Sequence, residues 1–237
     1  MANLKYIVIL LLLAGCTSDE VQQNCMIVCD CNCDDENDSV YNNAAFVKIK
    51  MHNFNTDRED ELTRGECKNG ALTTEFPKTL DSNYLYELIN SNWFPTNIIN
   101  APSTMTISNN NVKVGHAIFE VVTNEDNVAT HIYPFKIDEN CNAESVFYTY
   151  VDADVTISGF FKREVVICEY DISKNVDIWY KWQQTTTYSI EWKKGWNVWC
   201  LSISESRKER IITEQWKNSS AGELKWCRSE ELWKLKL

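Results

Sequence analysis

Acid–base chemistry needs histidines or carboxylates gathered at short spacing, and this chain offers few. Its three histidines, His52, His116 and His131, stand singly within alternating patterns and read as structural or solvated side chains. Asp152 and Asp154 lie two residues apart, so on a strand they would share a face, as paired carboxylates for glycoside hydrolysis could. Two acids in a turn are more simply solvated. No Gly-x-Ser-x-Gly elbow, His-Glu-x-x-His helix or phosphate-cradling glycine loop occurs. The chain is therefore not expected to be an enzyme, and no cofactor is expected.

Cysteine is the next chemistry to weigh. Of ten cysteines, Cys25, Cys29, Cys31 and Cys33 crowd together, while Cys67, Cys141, Cys168, Cys200 and Cys227 are spread through the later chain. Four thiolates could close a tetrahedral zinc site. The spacing matches no Cys-x2-Cys pair of pairs, however, so local or intermolecular disulfides are expected ahead of metal. Asp34, Glu36 and Asp38 begin like a calcium loop, but Ser39 and Ala45 stand where its glycine and last glutamate belong. A solvated acidic run is expected there.

Tryptophan supplies the most pointed binding signal, because eight of the nine lie between 179 and 233. By strand parity Tyr180 and Trp182 align with Ile178, and Trp192 with Tyr188 and Ile190, as buried faces would. Trp196 begins an inward series with Val198 and Cys200. Trp179 shares the opposite parity with Asp177 and Lys181, and Trp199 opposes Trp196. These two are the candidate ligand-binding residues, since an indole on a wet face leaves apolar area for a flat sugar ring or a protein to cover. A second sheet or subunit over that face is the competing explanation.

The elements that position these residues read as strands. Ala45 to Met51 alternates, Asn69-Gly70 opens a strand closed by Pro77, and Asp81 can cap a short helical turn carrying Tyr84, Leu85, Leu88 and Ile89. Val112 to Val122 reads as one long strand, turned back at Asn124–Asn127 onto Val128 to Phe135. Further strands follow at Val146–Val151, Val155–Ile157, Phe160–Tyr170, Val176–Trp182, Thr187–Trp192, Gly195–Ser204 and Lys208–Trp216. Such a series predicts an all-β, antiparallel β-sandwich of immunoglobulin or transthyretin type, with a calycin-like barrel as the alternative. Residues 229–237 fit either a strand or a helix. An apolar fraction of 44% suits a folded chain with a core. The lack of an internal repeat or of a Pro- or Gly-rich linker within 41–237 predicts one domain there, with two small sandwiches meeting near Asn140 as the alternative.

Charge narrows the partners. The net charge is −11, and residues 17–40 carry Asp19, Glu20, Asp30, Asp34, Asp35, Glu36 and Asp38 with no basic side chain. Residues 16–40 read as an acidic, cysteine-containing tether. Nucleic acid is not an expected partner, because no basic stripe is present.

At the N-terminus Lys5 precedes an apolar run from Tyr6 to Leu13, too short to span a bilayer as a helix. It ends in Leu13-Ala14-Gly15-Cys16, which resembles the lipobox of bacterial lipoproteins. The resemblance implies that residues 1–15 are a cleaved signal peptide and that Cys16 is the lipidation site, giving the chain the membrane as a partner. For that family Thr17 after the cysteine implies the outer membrane, and Ser18-Asp19-Glu20 resembles a cell-surface export tag.

Three later segments add a second resemblance. They are Asn69-Gly70-Ala71-Leu72-Thr73-Thr74-Glu75-Phe76-Pro77 with Thr79-Leu80-Asp81 and Tyr84-Leu85, then Asp152-Ala153-Asp154-Val155-Thr156-Ile157-Ser158-Gly159, and Ile190-Glu191-Trp192-Lys193-Lys194-Gly195-Trp196-Asn197-Val198 followed by Leu224-Lys225-Trp226. Their order is similar to that in uncharacterised β-sandwich surface lipoproteins of Gram-negative anaerobes, over roughly residues 44–228. That likeness implies a fold and no activity. The expectation is a lipid-anchored, non-catalytic surface binding module for glycan or protein. A structural envelope component and a hydrolase without a recognisable motif are the alternatives.

Overall fold

The computed structural model describes residues 24–28, 44–68, 71–90, 104–123, 129–137, 143–171, 176–219 and 225–228. Fifteen strands fill them: β1 (Asn24–Val28), β2 (Ala44–Asn53), β3 (Arg58–Lys68), β4 (Ala71–Glu75), β5 (Tyr86–Glu87), β6 (Thr106–Ile107), β7 (Lys113–His116) and β8 (Ile118–Thr123), then β9 (Ala129–Ile137), β10 (Ala143–Val151), β11 (Val155–Asp171), β12 (Val176–Trp192), β13 (Gly195–Ser206), β14 (Ile211–Asn218) and β15 (Lys225–Arg228). The described residues include no α-helix, only two short 3-10 turns at Ser82–Tyr84 and Leu88–Asn90. The protein is all-β, and part of its sheet curls into a half-barrel, as expected of a sandwich or barrel.

Hydrogen bonding runs in the order β1-β4-β3-β2-β8-β9-β10-β13-β14-β12-β11-β6. Pairing is antiparallel except between β12 and β14, because β14 returns to lie between β13 and β12. The expected hairpin after Asn124–Asn127 is present, with Phe119 opposite Ile132 and Val122 opposite Ala129. The single strand expected over Val112 to Val122 is instead two, β7 and β8, broken at Ala117, whose N–H reaches the carbonyl of Tyr148. Four short segments expected between Val155 and Trp192 merge into the β11–β12 hairpin, whose register is unbroken from Val155/Trp192 to Asp171/Val176.

Residues 16–40 were expected to be a tether throughout, yet β1 lies within them and pairs with β4 from Asn24/Glu75 to Val28/Ala71. The reason is local: Met26-Ile27-Val28 interrupts the acidic composition with a run of high strand propensity.

Two hydrophobic clusters hold the sheet. The first joins Val47 and Ile49 of β2, Phe119 and Val121 of β8, Ile132 of β9, Val146 and Tyr148 of β10, and Val198 and Cys200 of β13. The second joins Val155, Ile157 and Phe161 of β11, Tyr188, Ile190 and Trp192 of β12, Trp199 of β13 and Trp216 of β14. Strand β13 therefore serves both clusters, even-numbered residues into one and Trp199 into the other.

Candidate functional site

Trp199 corrects the expectation that it faces a ligand. It is fully buried, stacked on Phe147 and Trp216 at centroid distances of 4.3 and 4.8 Å, and its Nε1–H donates to Thr149 Oγ1 at 2.8 Å. Parity alone assigned it to a wet face, but β13 is covered on both sides. Trp196 is the less buried of the pair. It packs on Phe76 at 4.4 Å and donates its Nε1–H to the carbonyl of Pro77 at 2.9 Å.

Trp179 does stand in solvent, with 66% of its surface exposed. Strand β12 alternates buried and exposed residues along most of its length, and Trp179 falls on the open side. Cys168 lies directly across the ladder, and Lys181 pairs with Val166, which is 56% exposed. An ion pair of 2.8 Å between Lys181 Nζ and Glu164 borders the patch. Cys168 is an exposed free thiol whose pKa is raised by desolvation and by the Asp177 carboxylate, so it is not an activated nucleophile.

The patch sits on an unsupported part of the hairpin. Strand β14 pairs with β12 only at Gln183–Ser189, and β6 with β11 only at Ile157–Ser158, where Thr104 adds a bond to the carbonyl of Phe160. From Lys162 to Asp171 and from Val176 to Trp182 the two strands have no other strand partner among the described residues. At about 3.3 Å per residue this is a ribbon of roughly 30 Å.

A shallow polar depression of about 520 Å³ lies elsewhere on the sheet, lined by Thr156, Ser158, Ser189, Glu191, Lys217 and Asn218. Its groups are largely engaged: Asn218 accepts from the backbone N–H of Glu191 and donates to the Glu191 carbonyl, and Lys217 Nζ reaches Glu144 at 2.6 Å. Ser189 is ten residues along β12 from Trp179, about 33 Å away. One sugar ring cannot use both.

The acids and histidines were not expected to meet, yet three of them do. Glu59 of β3, Glu120 of β8 and His131 of β9 place ligand-type atoms within 4.8 Å of one another. The sequence carries no spacing signal for this, since the strands meet only after the sheet forms. A cation already occupies the centre: Lys50 Nζ lies 2.9 Å from Glu120 and 3.1 Å from Glu59, and Lys48 Nζ lies 3.4 Å from Glu120. Burial acts to raise the Glu120 pKa, but the hydrogen bonds and charges of Lys50 and Lys48 outweigh it and hold the carboxyl below its usual range. Two ammonium groups balance two carboxylates, so a divalent ion would have to displace Lys50.

Asp152 and Asp154 are turn fasteners. Asp152 Oδ1 accepts from the backbone N–H of Lys113 at 2.9 Å, while Asp154 accepts from the backbone N–H of Lys194 at 2.8 Å and from Lys193 Nζ at 3.1 Å. The Lys194 bond, then Lys193, lowers the Asp154 pKa. His52 lies 3.4 Å from Asp57, and His116 Nδ1 lies 2.7 Å from Thr149 Oγ1. Cys16, Cys29, Cys31 and Cys33 lie outside the described residues, and Cys25 falls in β1.

Compared with protein-family models, curated proteins and solved structures, the chain matches none.

Proposed function

We propose that this chain is a cell-envelope protein, anchored in the outer membrane by acyl groups on Cys16, which binds a partner protein without catalysis. The binding surface is the open face of the β11–β12 ribbon. One observation carries this reading: Trp179 is 66% exposed, whereas every other tryptophan whose side chain is described is buried or partly buried. Aromatic anchors carry a large share of interface energy, and here the anchor is bordered by Val166, Cys168 and a charged pair, an apolar centre with a polar rim. A glycan fits less well, because the aromatic platform and the polar depression are separated along β12.

The test compares the immobilised full-length protein with its Trp179→Ala variant for capture of solubilised envelope proteins, with a glycan array alongside. The expected result is a captured protein lost from the variant while the variant's melting temperature is kept. Glycan binding alone, or protein capture indifferent to Trp179, would overturn the assignment.

A further inference from the structure

The edge of the ribbon carries a separate message from its face. The backbone of Thr156 accepts from Ser108 N–H at 3.0 Å and donates to Ser108 Oγ at 2.8 Å, and Phe160 accepts from Thr104 N–H at 2.9 Å. Even-numbered residues of β11 thus turn their N–H and C=O groups away from β12. The β11–β12 register has no shift from Val155 to Asp171, so the same parity continues. Lys162, Glu164, Val166, Cys168 and Tyr170 then direct their backbone groups to an edge with no strand on it among the described residues.

Such an edge is a template for another strand unless it is blunted by proline, a bulge or inward-pointing charge. Residues Val165 to Cys168 have none of these, and Val166 is 56% exposed. What would pair there is written in the charge order. Lys162-Arg163 stands at one end, Glu169 and Asp171 at the other, and Val165-Val166-Ile167-Cys168 between them. An antiparallel copy of the same edge sets base against acid, whereas in-register parallel pairing would set Arg163 on Arg163 and Glu169 on Glu169.

We infer that this edge of β11 pairs antiparallel with the same edge of a second copy of this chain, about a two-fold axis at Val166. The two ribbons become one four-stranded sheet. Val166 meets Val166 of the second copy as a hydrogen-bonded pair, Glu164 meets Cys168 of the second copy, and Arg163 meets Glu169 of the second copy, each contact occurring twice. A two-fold interface must be self-complementary, and this edge is. The axis is perpendicular to the sheet, so both Trp179 side chains stay on one face. The inference uses the edge and not that face, and it stands apart from the partner-binding reading.

Sedimentation equilibrium of the full-length chain in density-matched detergent tests it. The wild type should be dimeric in the micromolar range. Arg163→Glu and Glu169→Arg should each weaken the dimer about tenfold, and the two together should restore it. Restoration is the decisive arm: Arg163 Nε also donates to Gln184 Oε1 within its own chain at 2.7 Å, and loss of that bond would not be rescued by changing Glu169. Val166→Pro removes an N–H that β12 does not use, so it should abolish the dimer and leave the far-UV spectrum unchanged. A monomeric wild type, a dimer indifferent to the charge changes, or a double variant as weak as the singles would overturn the inference. Trp179→Ala should leave the dimer constant unmoved.

Discussion

Thr149 has one hydroxyl proton and sits between two ring nitrogens. Trp199 Nε1 can only donate, so its 2.8 Å contact uses Thr149 Oγ1 as acceptor. The hydroxyl proton can then point at His116 Nδ1, 2.7 Å away, or the second lone pair of Oγ1 can accept from an Nδ1–H, so the contact is satisfied in either neutral tautomer. Burial of the ring lowers the His116 pKa from 6.5 to about 3. The unfolded chain binds a proton at His116 below 6.5 while the folded chain does not until about 3, so stability is full above 6.5 and falls on acidification. The slope is at most about 1.4 kcal/mol per pH unit. Glu120 and Glu144, both with lowered pKa, act mainly below their ordinary 4.5, so the interval from 6.5 to 5 isolates the histidine. Denaturant titrations of His116→Asn, which keeps a hydrogen-bonding amide facing Thr149, should show a flatter slope in that interval; an unchanged slope would refute the linkage to His116. The same measurement separates the two candidate tryptophans. Trp199→Ala should cost about 3–5 kcal/mol as a buried aromatic. Trp179→Ala should cost under about 0.5 kcal/mol, and equal losses would place Trp179 in a core after all.

At the scale of elements, strand parity was a sound guide where one face is wet and misleading where neither is. In β12 the alternation of Ile178, Tyr180 and Trp182 against Trp179 and Lys181 was visible in the sequence because only one face is covered. In β13 the run Val198-Trp199-Cys200-Leu201 is apolar without alternation, the pattern of a strand covered on both sides, and that feature would have placed Trp199 correctly. The Glu59–Glu120–His131 group was illegible because its members come from three strands with no fixed spacing. The merging of short segments into β11 depends on one residue. Gly159 has φ +104°, and a Cβ there would lie 2.5 Å from the carbonyl oxygen of Thr104, against the chain that leads into β6. Gly195 has φ +106° with nothing within 4 Å. Gly195→Ala should therefore lose only the strain of positive φ, about 1–2 kcal/mol, while Gly159→Ala should lose that and the close approach of Thr104. Unfolding free energies of the two variants decide this, and equal losses would show that the Thr104 contact yields without cost.

For the whole molecule, three segments far apart in the sequence, around Pro77, Asp154 and Lys193, come together as scaffold. Trp196 bonds the carbonyl of Pro77, Asp154 fastens Lys193 and Lys194, and Ile157 lies opposite Ile190. The proposed attachment to the envelope is a separate matter, and charge sharpens its test. A chain of net charge −11, with seven acidic residues and no basic one in 17–40, is repelled by anionic headgroups. Acyl groups supply an attraction of about 0.8 kcal/mol per buried CH₂, and more than one chain is needed for stable anchoring. If Cys16 is the acylated N-terminus, the protein should stay in the membrane fraction through high-salt and alkaline washes and leave it only in detergent. Mass spectrometry should then find the acyl mass on a mature N-terminal Cys16. Cys16→Ala should leave the protein soluble or still carrying residues 1–15. A Cys16→Ala protein that remains membrane-bound after processing, or a mature N-terminus elsewhere without lipid, would overturn the proposed anchor.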